Sequence, residues 1–247
     1  MNAYLAEFIG TAILILMGNG VVANVCLNKT KGQSSGWIVI TTAWAFAVYV
    51  GVVIAGPYSG AHFNPAVTIA LAVKGAFEWN MVAGYIGAQM AGAIVGALLV
   101  YLSYKDHFAA TEEEGLKRAC FCTEPAIRNY GSNFISEAIA TFVLLFVIFY
   151  ITGAEITMPG ATEATPIGLG SVGAIPVAIL IWALGLSLGG TTGYALNPAR
   201  DLGPRITLGV LLGGVLKTPA DWGYSWVPVL GPITGGVLAA IVYNAIM

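Results

Sequence analysis

Long apolar stretches separated by short polar segments dominate the chain. No Asp, Glu, Lys or Arg occurs in 32–73, 80–104, 138–154, 164–199 or 222–247. A helix needs about 20 mostly apolar residues to cross the hydrocarbon core of a bilayer. The pattern predicts six such spans: Tyr4–Leu27, Trp37–Ala55, Met81–Tyr104, Phe134–Thr152, Gly173–Leu188 and Tyr224–Ile246. Runs of this length favour helix over buried strand. The first stretch lacks the basic start of a cleavable leader and carries Glu7 where the apolar core would begin, so Met1–Leu27 reads as a retained helix. Gly92-x-x-x-Gly96 and Gly231-x-x-x-Gly235 predict close helix packing. The longest polar connection, Lys105–Asn133, reads as a solvated loop in which the charges and His107 have no specific role.

Composition sharpens this picture. Of 247 residues, 57% are apolar and only 9% charged, against about 25% charged in soluble domains. So little charge cannot dress a soluble surface of this size, and the outer surface is expected to face lipid. The apolar content excludes disorder. Ten basic residues and a net charge of −2 leave no footprint for binding nucleic acid. Three cysteines make no disulfide framework. Cys120-x-Cys122 lacks the second pair of a zinc site, so neither metal nor cofactor is expected.

The halves repeat one another. Glu7-x-x-x-Thr11 is matched by Glu137-x-x-x-Thr141. Gly60-Ala61-His62-Phe63-Asn64-Pro65-Ala66 is matched by Gly193-Tyr194-Ala195-Leu196-Asn197-Pro198-Ala199. Glu and Asn stand 57 residues apart in the first half and 60 in the second. The chain therefore reads as one transmembrane domain, 1–247, built from repeats of approximately 1–130 and 131–247. Three spans per half mean that the second half enters from the opposite side, which makes the repeats inverted.

Each Asn-Pro-Ala precedes a run too short to cross a bilayer: Val67–Val73, and Ile206–Leu216 after a polar turn at Arg200–Arg205. Asn is a strong N-cap and Pro favours the first helical position, so each motif predicts the start of a half-helix. Inverted symmetry would bring the two positive helix ends face to face at mid-membrane, repelling cations. The Asn64 and Asn197 amides could donate to a passing oxygen. Irregular backbone at Tyr58–Phe63 and Thr191–Leu196 would present free carbonyls, tolerated at that depth where they line a wet cavity. Donors facing acceptors suit water or a small polyol. Glu7 and Glu137 have two readings: a proton relay, or acceptors that support the irregular loop of their own half. The loop-supporting role is favoured, because the duplication ties each Glu to one loop.

Two Asn-Pro-Ala boxes, the second running on as Asn197-Pro198-Ala199-Arg200-Asp201, and the paired Glu-x-x-x-Thr motifs resemble the major intrinsic protein family of aquaporins and glycerol facilitators. The resemblance covers nearly the whole chain. It implies an all-α membrane protein of six transmembrane helices plus two half-helices in an inverted repeat. It implies a selectivity constriction at Trp44, Gly185, Tyr194 and Arg200, and pore-lining carbonyls at Gly60, Ala61, His62, Gly193 and Ala195. Trp, Gly, an aromatic and Arg at the constriction resemble the glycerol-conducting branch. Phe is the commoner aromatic there, so Tyr194 is a departure. Trp44 and Tyr194 would form an apolar corner opposite the donors of Arg200. Asp201, Arg205 and Pro228-Val229 fit the same branch.

The resemblance further implies a homotetramer in the cell membrane, passing glycerol, water and other small neutral solutes without catalysis, with cytoplasmic termini. A water-dominant channel and a proton-coupled transporter using Glu7 or Glu137 are the competing readings. The implied orientation places Lys29, Lys31, Lys105, Lys117, Arg118 and Arg128 outside and little beyond Lys74 inside, against the usual charge bias. Two apparent motifs lack the frame their chemistry needs. Gly168–Gly173 imitates a dinucleotide-binding turn without a preceding strand, and Gly32–Gly36 a nucleophile elbow without strand, turn and helix.

Overall fold

A computed structural model describes residues 1–160 and 163–247. Six helices are long and apolar enough to span a membrane among these residues. In chain order, α1 is Ala3–Cys26, α2 Trp37–Ser59, α3 the short Pro65–Lys74 and α4 Trp79–Ala110. Then come α5 Glu114–Ala119, α6 Tyr130–Ile148, α7 Ile175–Leu188, α8 the short Pro198–Ile206, α9 Gly213–Leu216 and α10 Val227–Ile246. An antiparallel pair, β1 Ala154–Ile156 and β2 Thr165–Ile167, lies between α6 and α7. A short strand thus does precede Gly168, contrary to expectation, but it is one arm of a three-residue antiparallel pair that runs into a 3-10 turn at Gly170–Ala174, not the parallel strand of a dinucleotide-binding unit.

Packing follows the duplication. α1 packs on α4 as α6 packs on α10, and α1 lies beside α2 as α6 lies beside α7. Each short helix reaches across to the other repeat: α3 packs on α10, and α8 on α4. The glycine stripes allow the close approaches. A Cβ on Gly92 would stand 2.3 Å from the Phe8 carbonyl oxygen in α1, and one on Gly235 would stand 2.1 Å from the Ala138 oxygen in α6. Large apolar side chains such as Phe46, Ile135, Ile179 and Leu230 point outward. Aromatic groups gather near the helix ends, Tyr130 with Trp226 at one side and Tyr150 with Tyr243 at the other. Those are the positions that amphipathic rings favour at a membrane interface.

Four expectations need correction. Arg200–Arg205 is not a polar turn but most of α8 itself; the apolar run beyond it breaks into a π-helical turn, Thr207–Leu211, and the single turn α9. Lys105–Asn133 is not a solvated loop throughout. α4 continues to Ala110 past a kink at Tyr104, and Cys120, Phe121, Cys122 and Thr123 are buried. Nor is His107 idle. Its Nδ1 lies 3.0 Å from the Asn28 carbonyl oxygen and ties the first loop to the end of α4. α6 also begins earlier than expected, because the Asn129 side chain accepts from Ser132 N–H and caps it.

Candidate functional site

Both short helices start as the sequence suggests. Asn64 and Asn197 are N-caps, with φ near −151° and −150°, and each Oδ1 accepts the N–H of the alanine after the following proline, at 2.9 Å. The other atom of each amide crosses the pseudo-symmetry. Asn64 Nδ2 donates to the Leu196 carbonyl and Asn197 Nδ2 to the Phe63 carbonyl, both at 2.8 Å. The two helix starts are thus laced together, with both positive ends at one place. Each amide keeps one N–H for a solute, not two.

The approach to each cap is backbone that ordinary side chains rarely adopt. Gly60, Ala61 and Phe63 have φ of +79°, +55° and +53°; Gly193, Tyr194 and Leu196 have +78°, +37° and +55°. Buried carboxylates stabilise these turns. Glu7 accepts from His62 N–H at 2.9 Å, Phe63 N–H at 2.7 Å, Ser59 Oγ at 2.6 Å and Gln89 Nε2 at 2.8 Å. Glu137 accepts from Ala195 and Leu196 N–H, both at 2.9 Å. With the N–H groups drawn toward the carboxylates, the carbonyls of Gly60, Ala61, His62, Gly193, Tyr194 and Ala195 accept no hydrogen bond among the described residues. The free stretches are shorter than expected, because the Ser59 carbonyl accepts from Tyr85 and that of Thr191 from Ala126 N–H.

A cavity of about 190 Å³ runs past both Asn residues. Val48, Val52, Val67 and Leu71 make part of one apolar wall, and Leu144, Ile148, Val177 and Ile181 the corresponding wall from the other repeat. Gly60, Ala61, His62, Tyr194 and Ala195 line it between them. At one end stand Trp44, Tyr194 and Arg200, with the Arg200 guanidinium 4.3 Å from the Trp44 ring centroid. Two expected liners stand back. Gly193 packs against Thr123, with 3.3 Å to a would-be Cβ, and Gly185 lies behind the Tyr194 ring. A Cβ on Gly185 would come within 2.9 Å of Tyr194 Cζ. Pro65, Ala66, Pro198 and Ala199 are buried in the helix starts.

Sequence reasoning missed the residues that seat this end. Gly18 leaves room for Trp44; a Cβ there would stand 2.4 Å from its ring. Gly189, one turn after Gly185, extends a flat shelf for Tyr194, which meets Trp37 edge-on at 5.7 Å. Trp37 Nε1 donates to the Gly185 carbonyl at 3.0 Å. Comparing the repeats position by position carries a signal for Gly18: its counterpart by distance from the Glu is the bulky Ile148.

Arg200 makes no ion pair with Asp201. Asp201 instead binds Arg205, one turn on, at 2.7 Å, and accepts Thr123 N–H at 2.8 Å and Thr123 Oγ at 2.7 Å. Arg205, fully buried, also donates to the carbonyls of Ala220, Asp221 and Thr123. The 120–128 segment is thereby clamped over α8. Burial pushes the neighbouring Cys122 thiol up to about 12, so it stays protonated. At the surface Arg128 pairs with Asp221, and the guanidinium holds that carboxyl below its ordinary value.

Fold and site together define an integral, multi-pass membrane protein: inverted repeats meeting at two half-helices around a central cavity. A model of the family described as Major intrinsic protein matches residues 1–243, and the chain belongs to that family. It is 52% identical over 245 residues to a probable glycerol uptake facilitator protein of Thermotoga maritima, covering 99% of both chains. It is 51% identical over 244 residues to the glycerol uptake facilitator protein of Streptococcus pneumoniae, again covering 99% of each. The structure of the aquaglyceroporin from Plasmodium falciparum superposes with a TM-score of 0.81 at 31% identity, covering 98% of this chain and 94% of that one.

Proposed function

We propose that the chain is a passive channel for glycerol and water in the plasma membrane, not an enzyme. It passes small neutral solutes and excludes ions and protons. The observation that carries this reading is the cavity's division: continuous aliphatic wall on two sides, and a file of free carbonyls and amide N–H groups between. A polyol presents carbon to one and hydroxyls to the other. Trp44, Tyr194 and Arg200 form the selectivity constriction, with Gly185 as the shelf behind it. The facing helix ends and the Arg200 charge oppose cations. The names of the relatives, glycerol uptake facilitators and an aquaglyceroporin, support the solute.

Glu7 and Glu137 serve as fixed acceptors. Neither lines the cavity, and all four acceptor positions of Glu7 are occupied. That favours the channel over a proton-coupled carrier. The working form is a homotetramer with one pore per protomer and cytoplasmic termini. Stopped-flow light scattering on proteoliposomes tests the function. Glycerol should flow downhill and quickly, sucrose should not pass, and a pH gradient should change nothing. Glycerol flux that stops when a proton gradient is collapsed would overturn the channel in favour of the carrier.

A further inference from the structure

A second cavity, of about 540 Å³, lies between the end of α4, α5 and α9, away from both half-helix starts. Its volume falls within the range of about 300–1,000 Å³ common for ligand sites. Tyr101, Phe108 and Leu216 form its apolar side. The charge-free run 80–104 ends here, at Lys105. Tyr101 follows Trp79 by 22 residues of the same helix. At 1.5 Å per residue that is about 33 Å, one hydrocarbon thickness. The cavity therefore sits at the level of the lipid headgroups. Leu102, one helical turn before Lys105, is 64% exposed, and Val215, which lines the cavity, is 62% exposed. Its membrane side thus opens on apolar surface that meets acyl chains.

Three elements each contribute a lysine. Lys105 stands just past the α4 kink at Tyr104, Lys117 in the last turn of α5 and Lys217 at the end of α9. Glu112 and Glu114 line the same cavity, yet no lysine pairs with either. The ion pairs among the described residues are Arg118–Glu124, Arg128–Asp221 and Arg205–Asp201. The neighbouring arginines are thus neutralised and the lysines are not. Three ammonium groups against two carboxylates leave the cavity a formal +1. The orientation implied by the family places Lys105 and Lys117 outside, against the usual charge bias. A lipid headgroup in that leaflet gives these cations a use.

We propose that this cavity binds the headgroup of an anionic phospholipid of the adjoining leaflet. The phosphodiester lies among Lys105, Lys117 and Lys217, and head hydroxyls donate to Glu112 and Glu114. The acyl chains run along Val215 and Leu102. A head with one negative charge and free hydroxyls, as in phosphatidylglycerol, matches the formal +1 and gives both carboxylates a donor. A choline head is zwitterionic and donates nothing. Bound there, the lipid ties α9, which follows the half-helix α8, to α4 and α5.

Native mass spectrometry of the detergent-solubilised protein tests this, with phosphatidylglycerol and phosphatidylcholine of the same acyl chains. A basic side chain beside anionic headgroups is worth about a fivefold change in affinity. Wild type should bind phosphatidylglycerol the more tightly. Lys105→Gln/Lys117→Gln/Lys217→Gln should weaken that binding by about tenfold or more and abolish the preference. Lys29→Gln/Lys31→Gln, on the same side but outside the cavity, should bind as wild type does. Equal affinity of wild type for the two lipids overturns the proposal. So does an equal loss in both variants, which would show diffuse attraction in place of a site. Free glycerol 3-phosphate should not displace the lipid; displacement would make the ligand a soluble phosphate and overturn the lipid assignment. Should the triple variant fail to assemble, Lys217→Gln alone, at an exposed position, must still lose about fivefold, and unchanged binding rejects the site. Binding is read without flux, so a protein that passes no glycerol sinks the channel reading and leaves this site standing.

Discussion

The two ends of the cavity are built from equivalent positions and differ almost wholly in side-chain size and polarity. Counting from each Asn, Trp44 corresponds to Val177, Gly185 to Val52, Tyr194 to Ala61 and Arg200 to Val67. Counting from each Glu, Gly18 behind Trp44 corresponds to Ile148. At the Trp44 end, each aromatic ring lining the cavity has a glycine behind it, Gly18 for Trp44 and Gly185 for Tyr194. At the other end, small and medium aliphatic residues fill both roles, Val177 with Ile148 and Ala61 with Val52. The backbone path is nearly the same in both repeats, as the matched left-handed φ values at Ala61 and Tyr194, and at Phe63 and Leu196, make plain. A duplicated scaffold thus supplies the conduit, and exchanges of large for small residues turn one mouth into the proposed filter.

The supporting shells diverge in the same way, and the largest expected effect lies there. Asp201 corresponds to Thr68, and Arg205 to Ala72. In the first repeat, Thr68 Oγ1 lies 3.1 Å from His62 Nδ1 and 3.0 Å from Gln89 Nε2, a neutral cluster. In the second, a fully buried ion pair clamps the 120–128 segment over α8. Removing one partner of such a pair leaves an uncompensated charge, at a cost of about 3–5 kcal/mol. Asp201→Asn should therefore destabilise by about that much in thermal unfolding of the detergent-solubilised protein. Thr68→Val should cost about 1–3 kcal/mol, as for buried neutral partners left unmet. Equal losses would mean that the two shells do the same work despite their chemistry.

The glycine shelf comes next. Gly185→Ala sets a methyl group 2.9 Å from both Tyr194 Cζ and Thr41 Cγ2, an overpacking expected to cost about 1–3 kcal/mol. It should also push Tyr194 into the opening and lower glycerol flux. The equivalent Val52→Ala change should leave polyol selectivity as it was, because that end holds no ring to displace. Trp44→Ala sharpens the same contrast. It should weaken discrimination between glycerol and four-carbon polyols by about tenfold, the scale of one lost apolar fit, whereas Val177→Ala should not. Swelling assays with glycerol and erythritol measure both, and identical behaviour of the two variants would misplace the constriction.

What the residue pattern reveals and conceals follows from the same physics. Long charge-free runs and duplicated motifs are legible because membrane helices and inverted repeats constrain every residue in them. The start of α8 is legible in Asn197-Pro198, but its body is concealed because Arg200, Asp201 and Arg205 read as a polar turn. Only the fold shows that Asp201 and Arg205 satisfy each other one helical turn apart while interior carbonyls take the remaining donors. Cys120–Thr123 is concealed for a related reason, since charged neighbours such as Lys117 and Arg118 mask a short segment whose burial rests on distant partners, Asp201 for the Thr123 N–H, Asn19 for the Phe121 carbonyl and Phe108 for the Phe121 ring. Gly18 and Gly189 carry no motif of their own. Their purpose depends on which ring packs against them, and that is a tertiary fact.

The smallest effect separates the buried clamp from its surface extension. Arg128 and Asp221 pair at the edge of the same loop, with side chains 42% and 20% exposed, so solvent screens them and the contribution is expected to stay below about 1 kcal/mol. The sign of its pH dependence is set by Asp221, whose carboxyl is held below its ordinary value, chiefly by the hydrogen bond from Arg128. The pair's stabilisation is thus complete above the unfolded carboxylate pKa, near 4, and disappears as pH falls through the lower folded value. Asp221→Asn isolates this charge. Asn tolerates the left-handed φ of +52° at this position, and the Asp221 backbone carbonyl that accepts from Arg205 is untouched. The gap in unfolding temperature between wild type and variant should be small at pH 7 and close as pH falls below about 4. A gap that widened in acid would assign Asp221 to the buried clamp and erase the distinction between core and rim.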